Sequence, residues 1–127
     1  MKNLTTKYIK EIILSSRIYK ISIYENVRGK LFIDVYIELQ YSKNGFVKIV
    51  FEDVKKYTFN WEENYYFYYI ERAKLFRLNS LYYISFDPDG EEDIISEKDS
   101  DFILCSNIDV FVGKSKLDLQ KMGESSF

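Results

Sequence analysis

Aliphatic residues at every second position from Leu31 to Leu39 constrain the fold of this chain more than any other feature. The odd-numbered positions are all Leu, Ile or Val, whereas Asp34, Tyr36 and Glu38 lie on the opposite side. Successive side chains of a β-strand point to opposite faces of its sheet. The segment is therefore predicted to be a half-buried antiparallel strand, with one face in the core and the other in solvent.

A hairpin is predicted directly after this strand, because Asn44 and Gly45 stand between it and a second alternating run. An Asn-Gly pair tolerates the positive φ angles that the tightest hairpin turns need. Val47, Ile49 and Phe51 then share one face of the next strand. We expect the residues "DVKK" at 53–56 to connect this strand to the aromatic run at 57–61.

The remaining segments are less regular. The apolar run from Tyr65 to Leu78 is interpreted as one extended strand with a bulge near residues 71–73. The residues from Thr6 to Leu14 have apolar positions spaced along one helix face, although a strand also fits this Ile-rich sequence. Further strands, the last of them a single strand or a pair, are predicted at 18–24, 81–86 and 101–112.

These elements together predict a mainly β (α+β) fold. Six or seven strands follow one another through short connections, and helices do not alternate with them. That pattern is typical of a strongly twisted antiparallel sheet of six or seven strands, curled into a half-barrel or sandwich, here with one N-terminal helix. The 127 residues include one proline and five glycines, so no linker divides them. We expect a single β-rich domain over residues 1–113 and a frayed C-terminal tail over 114–127.

The residue types that most enzymes use are scarce. The chain has no histidine and a single cysteine, Cys105, so Ser-His or Cys-His catalysis and the usual zinc sites are excluded. Cys105 lies in an apolar run and is predicted to be a buried structural thiol. The five glycines are scattered, which excludes a phosphate-binding loop. We therefore predict no catalytic residue, metal or cofactor, and a hydrolase that uses carboxylates and a divalent cation remains a third alternative.

An acidic segment, "FDPDGEEDIISEKDSD" at 86–101, is the most unusual part of the sequence. It holds eight carboxylates and one lysine, a net charge of −7, whereas residues 1–85 carry a net charge of +5. Counting from Asp87, a calcium loop would need glycine at its sixth position and glutamate at its twelfth, and neither is present. The residues Asp87 to Gly90 are instead typical of a β-turn, and Ser96 could cap a helical turn after it.

We interpret this segment as a surface for a protein partner with basic residues, since dense charge steers oppositely charged partners. A loop that faces only water is the competing interpretation. The overall charge of −2 and the absence of a dense Lys/Arg cluster disfavour nucleic acid, and no apolar run is long enough for a membrane helix. The protein is expected to be cytoplasmic, and a monomer or weak homodimer. The predicted partner-binding residues are Asp87, Asp89, Glu91, Glu92, Asp93, Glu97, Asp99 and Asp101.

Aromatic residues support a second hypothesis, a half-barrel that binds a small molecule. Its lining would consist of Trp61, Tyr65, Phe67 and Tyr69. Aromatic side chains at strand spacing also fill ordinary cores and cross-strand pairs, so this pattern is less informative than the charge distribution.

The region from Phe46 to Ile108 resembles a known family. The order of "FEDVKKYTFNWEENYYFYYIERAKLF", "LYYISFDPDG" and "ISEKDSDFI" is similar to that of small β-rich immunity proteins encoded beside polymorphic toxins in bacteria. The resemblance implies an inhibitor that binds a cognate toxin domain stoichiometrically, without turnover, and whose acidic loop helps to occlude that toxin. Small phage or plasmid inhibitors of host factors share this size and acidity, and the sequence does not separate the two.

Overall fold

A computed structural model describes residues 6–40, 45–61, 63 and 69–121 of the chain. Within these ranges the chain forms one antiparallel sheet of seven strands in the order β4-β1-β2-β3-β7-β6-β5. This architecture confirms the predicted mainly β fold. The elements in chain order are α1 (Thr6–Ile13), β1 (Ser16–Glu25), β2 (Leu31–Glu38), β3 (Phe46–Thr58), β4 (Tyr69–Ile70), β5 (Lys74–Leu78), β6 (Leu81–Asp87), β7 (Ser100–Gly113) and α2 (Lys116–Lys121).

The short connection between β4 and β5 shows that the sheet is curled. These strands stand at opposite ends of the strand order, yet only residues 71–73 separate them. So short a connection spans at most about 14 Å, whereas seven strands laid flat would be roughly 29 Å wide. The sheet must therefore bend into a half-barrel that brings its two edge strands together.

This connection also corrects the prediction of one bulged strand over 65–78. The segment turns at residues 71–73 and passes from one edge of the sheet to the other, so its described part belongs to two strands. Residues 64–68 lie outside the described part of the chain. A local bulge and a complete change of edge look alike in the sequence, because both leave apolar residues on either side of a polar interruption.

The core lies inside the curl of the sheet. Ile33, Val35 and Ile37 of β2 are fully buried there, and the predicted inward residues of β3 pair with this strand. The helix α1 is confirmed, and it packs against β1 and β5 with Ile9 and Ile13 buried one turn apart. The helix therefore covers the opening between the two ends of the curled sheet.

The outer face of β2 differs from its prediction. Asp34 and Tyr36 were expected in solvent, but each is about as buried as the core residues, and so is Lys48 on the neighbouring strand. The Tyr24 hydroxyl donates to Asp34 Oδ1 at 2.7 Å, and Lys48 Nζ lies 3.7 Å from Asp34 Oδ2. Alternation predicts the polarity of each face, but it does not distinguish polar groups in water from polar groups that pair with one another.

The strand β3 is longer than predicted. The residues "DVKK" at 53–56 do not form a connection but continue the strand. The pairing is irregular between Val54 and Lys56, and Asp53, just before this irregularity, adopts a φ of 55°. Such a bulge lets a strand bend without ending. Its partner β7 is one continuous strand that also pairs with β6, which settles the choice between a strand and a pair.

The C-terminal segment 114–127 was expected to fray, and residues 114–121 of it are described. Ser115 accepts a hydrogen bond from the Asp118 amide at 3.1 Å and so caps the short helix α2. Leu119 of this helix is fully buried against Gly113, where an added Cβ would lie 3.2 Å from the leucine Cδ2 atom. A single buried leucine therefore holds a segment whose sequence has little periodicity.

Candidate functional site

The acidic loop, defined as residues 88–99, connects Asp87 at the end of β6 to Ser100 at the start of β7. The structure divides the eight predicted partner-binding carboxylates into two groups. Asp99 and Asp101 are buried, so neither presents a free charge to a partner. The exposed group consists of Asp87, Asp89, Glu91, Glu92, Asp93 and Glu97.

Asp99 is the centre of the loop, and its side chain is surrounded by donors. Lys74 Nζ lies 2.9 Å from Oδ1, and the Tyr83 hydroxyl donates to Oδ2 at 2.6 Å. The backbone amide of Asp89 donates to Oδ1 at 2.8 Å, and that of Ser96 donates to Oδ2 at 3.0 Å. One carboxylate therefore ties β5 and β6 to both arms of the loop.

Electrostatics at Asp99 follow from this geometry. Burial alone would raise the pKa of its carboxyl group, but the hydrogen bonds from Tyr83, the Asp89 amide and Lys74 outweigh burial and hold that pKa below its usual value. In turn, burial and the bond to Asp99 raise the pKa of Tyr83. Asp99 is thus a stable anion that binds the loop to the sheet.

Further contacts fix the remaining backbone of the acidic loop. Lys74 Nζ also donates to the Ile94 carbonyl at 2.9 Å, and the Arg72 guanidinium donates to the Pro88 carbonyl at 3.1 Å. Ser96 accepts a hydrogen bond from the Lys98 amide at 3.1 Å, as a cap would, although the residues after it form a turn rather than a helix. Gly90 adopts a φ of 85°, which suits the turn predicted there.

Asp101 has a structural position at the start of β7. Its side chain is fully buried and accepts a hydrogen bond from the Asn60 amide at 2.7 Å. Asp101 therefore links the start of β7 to Asn60, two residues after the end of β3. Asp99 and Asp101 were predicted to contact a partner like their exposed neighbours, because nothing in the local sequence distinguishes a buried carboxylate from a solvated one.

Two isoleucines in the loop were not predicted as site residues. Ile94 is 59% exposed and Ile95 is 48% exposed. The local signal was the pair of adjacent apolar residues inside a run of carboxylates, with no alternation that would bury either one. The loop therefore presents apolar surface as well as charge.

The residues of the alternative ligand cavity are not gathered by the described part of the structure. Trp61 and Tyr69 are both exposed, and Tyr65 and Phe67 lie outside the described residues. Among the residues that are described, no three metal-binding side chains converge into a candidate metal centre.

Two carboxyl groups outside the acidic loop, those of Glu52 and Asp109, interact across the neighbouring strands β3 and β7. A hydrogen bond with Asp109, together with burial, raises the pKa of Glu52 to about 7, against a partly offsetting bond to Asn107. Cys105 is nearby and fully buried, as predicted, and burial raises the pKa of its thiol to about 12. The thiol is therefore protonated and unreactive at neutral pH.

Comparison of the chain with protein-family models, with curated proteins and with solved structures found no match. No helix in the described ranges is long and apolar enough to cross a membrane.

Proposed function

We propose that the protein is a non-catalytic inhibitor that binds a protein with a basic surface through the exposed carboxylates of the acidic loop. The observation that supports the proposal most strongly is the set of hydrogen bonds that Asp99 accepts, which we call the Asp99 brace. A loop that only keeps charge in water needs no internal support, whereas this loop is held by a buried ion pair, a tyrosine and two backbone amides. The brace presents the exposed carboxylates from one fixed backbone conformation.

Both the charge and the rigidity favour rapid and specific association. Concentrated negative charge raises the rate at which a cationic partner meets the correct surface, particularly at low salt. A loop that is already ordered loses little conformational entropy on binding, so more of the interaction energy appears as affinity. The proposed inhibitor would therefore occlude its partner without reorganising itself.

The partner class that we propose is a cognate bacterial toxin domain with a basic surface. The sequence resemblance to immunity proteins supports this choice, and the absence of histidine together with the inert Cys105 agrees with an inhibitor that does no chemistry. A phage or plasmid inhibitor of a host factor would use the same surface on a different partner.

The test uses the product of the reading frame next to the gene for this protein. We expect the two to form a stoichiometric complex and expect co-expression to suppress toxicity of that product. The loop-neutral variant carries amides in place of Glu91, Glu92, Asp93 and Glu97. The control-neutral variant carries the same change at four exposed carboxylates elsewhere, Glu11, Glu25, Glu63 and Asp118.

Because both variants change the net charge equally, the comparison isolates the position of the charge. The loop-neutral variant should lose protection and most of its complex, while the control-neutral variant should retain both. Protection that survives in the loop-neutral variant, or fails equally in both, would contradict docking through this loop.

A further inference from the structure

Resting on the proposed function, we infer that Ile94 and Ile95 form an apolar anchor at the centre of the interface, and that the partner carries an apolar pocket rimmed by lysine or arginine. The exposure of these two apolar side chains is independent of the charge of the loop.

The backbone around the anchor is fixed, although its side chains are in solvent. The Ile94 carbonyl accepts a hydrogen bond from buried Lys74, and the Ile94 amide donates to the Glu92 carbonyl at 2.8 Å. Both hydrogen bonds use main-chain atoms of Ile94. The two isoleucine side chains remain exposed, on a backbone that these hydrogen bonds hold in place.

The surroundings match the anatomy of protein interfaces. Glu91, Glu92 and Asp93 precede the isoleucines, and Glu97 follows them, all four with exposed side chains. Interfaces concentrate binding energy in a few side chains near a largely apolar centre, and a polar rim surrounds that centre. The isoleucines would occupy the centre and the carboxylates the rim.

The negative charge of the loop favours a basic protein as the molecule that covers the two isoleucines. The exposed carboxylates on both sides of the isoleucines in the chain repel the phosphates of nucleic acid and of anionic lipid surfaces, so this apolar surface is unsuited to either. A basic protein surface offers the complementary rim and can also supply an apolar pocket. The two parts of the loop should then act on different rates, with the carboxylates governing association and the isoleucines governing dissociation.

A pair of synthetic peptides, which stand in for the basic partner, tests the anchor directly. One peptide places Leu-Phe between two runs of lysine and arginine, and its twin has Gly-Gly in place of Leu-Phe. Affinity is measured by NMR titration of the whole protein over a series of salt concentrations. The proteins compared are the wild type, the loop-neutral variant, the double substitution Ile94→Ser with Ile95→Ser, and the control Val27→Ser, which removes an apolar side chain that is 89% exposed elsewhere.

We expect the wild type to bind the Leu-Phe peptide about tenfold more tightly than its twin. The double serine variant should bind both peptides equally and keep the salt dependence of the wild type, and the Val27 variant should behave as the wild type. Equal binding of the two peptides by the wild type, with salt dependence intact, would overturn the anchor and leave the proposed function standing. Binding that is insensitive to neutralisation of Glu91, Glu92, Asp93 and Glu97 would overturn both.

Discussion

Two buried lysine–aspartate pairs in this protein look equivalent by burial and charge but differ in chemistry. Asp99 is 6% exposed and pairs with Lys74 at 2.9 Å, while Asp34 is 4% exposed and pairs with Lys48 at 3.7 Å. The hydrogen bonds of Asp99 hold its pKa below the usual value. For Asp34, burial raises the pKa, and the bond from Tyr24 and the charge of Lys48 offset burial only in part.

The difference shows that ion pairing alone does not make a buried carboxylate a stable anion. Asp99 accepts hydrogen bonds from a lysine, a tyrosine and two backbone amides, which together replace the water it has lost. The two pairs also have different structural consequences. Asp34 links neighbouring strands that are already paired, whereas Asp99 holds a loop that has no sheet partners of its own.

The largest expected effect is a difference in the free energy of unfolding between variants of the two lysine–aspartate pairs. Asp99→Asn should lower the free energy of unfolding by about 4 kcal/mol, because Lys74 is left as an unpaired buried cation and two backbone amides lose a charged acceptor. Asp34→Asn should lower it by about 2 kcal/mol, because fewer donors depend on that side chain. Urea unfolding monitored by fluorescence measures both values.

A double-mutant cycle with Lys74→Met provides the control for this stability effect. Removing both members of the pair should be less damaging than the sum of the single changes. Equal losses for Asp99→Asn and Asp34→Asn would remove the basis of the comparison.

The second effect concerns the loop itself. In Asp99→Asn, the amides of Asp89 and Ser96 should exchange with solvent about tenfold faster or more, since their charged acceptor is gone. Asp34→Asn should leave both amides unchanged and serves as the matched control. Hydrogen exchange followed by NMR makes this measurement, and unchanged exchange at Asp89 and Ser96 would show that Asp99 does not brace the loop.

The third effect is that the contributions of Asp99 and Asp34 to stability change with pH in opposite directions. The lowered pKa of Asp99 stabilises the fold above the usual aspartate value of 3.8, and this contribution is lost as pH falls through the folded pKa. The raised pKa of Asp34 acts in the opposite direction, since its contribution is present below 3.8 and is lost as pH rises through the folded pKa. Carboxyl NMR titration should place the two folded pKa values on opposite sides of 3.8.

The smallest expected effect extends the comparison to Glu52, whose hydrogen-bonding partner is another carboxyl group. Its pKa of about 7, against an ordinary 4.5, means that its contribution to stability is lost as pH rises between these values. Glu52→Gln should therefore stabilise the protein at pH 8 by about 1 kcal/mol, a modest figure because solvent screens this half-buried site. The gain should disappear near pH 4, and a gain that is constant with pH would argue against a shared proton.

The inner face of the sheet was predictable because its cause is local. Alternation in β2 placed Ile33, Val35 and Ile37 correctly, since each side chain follows from the period of a strand. The burial of Asp34 was not predictable, because it depends on Lys48 and Tyr24 in neighbouring strands. The same limit applies to α2, which depends on the packing of Leu119 rather than on any pattern within its own six residues.

The candidate site was predictable as a region, but not in its internal organisation. Charge counting identifies the acidic segment in the sequence, yet it could not assign Asp99 to the interior, because the partner Lys74 lies 25 residues away in the chain. The exposure of Ile94 and Ile95 could not be predicted either, because it depends on which backbone groups the folded loop turns inward. Both distinctions require tertiary contacts.

The central claim is that charge in the acidic loop steers a basic protein partner to this surface. The most direct test is the association rate constant with the product of the adjacent reading frame, measured by stopped flow as ionic strength rises. We predict that the wild-type and control-neutral rates fall steeply with salt, whereas the loop-neutral rate is lower at low salt and nearly flat. A loop-neutral protein with the same rate and the same salt dependence as the wild type would contradict the claim.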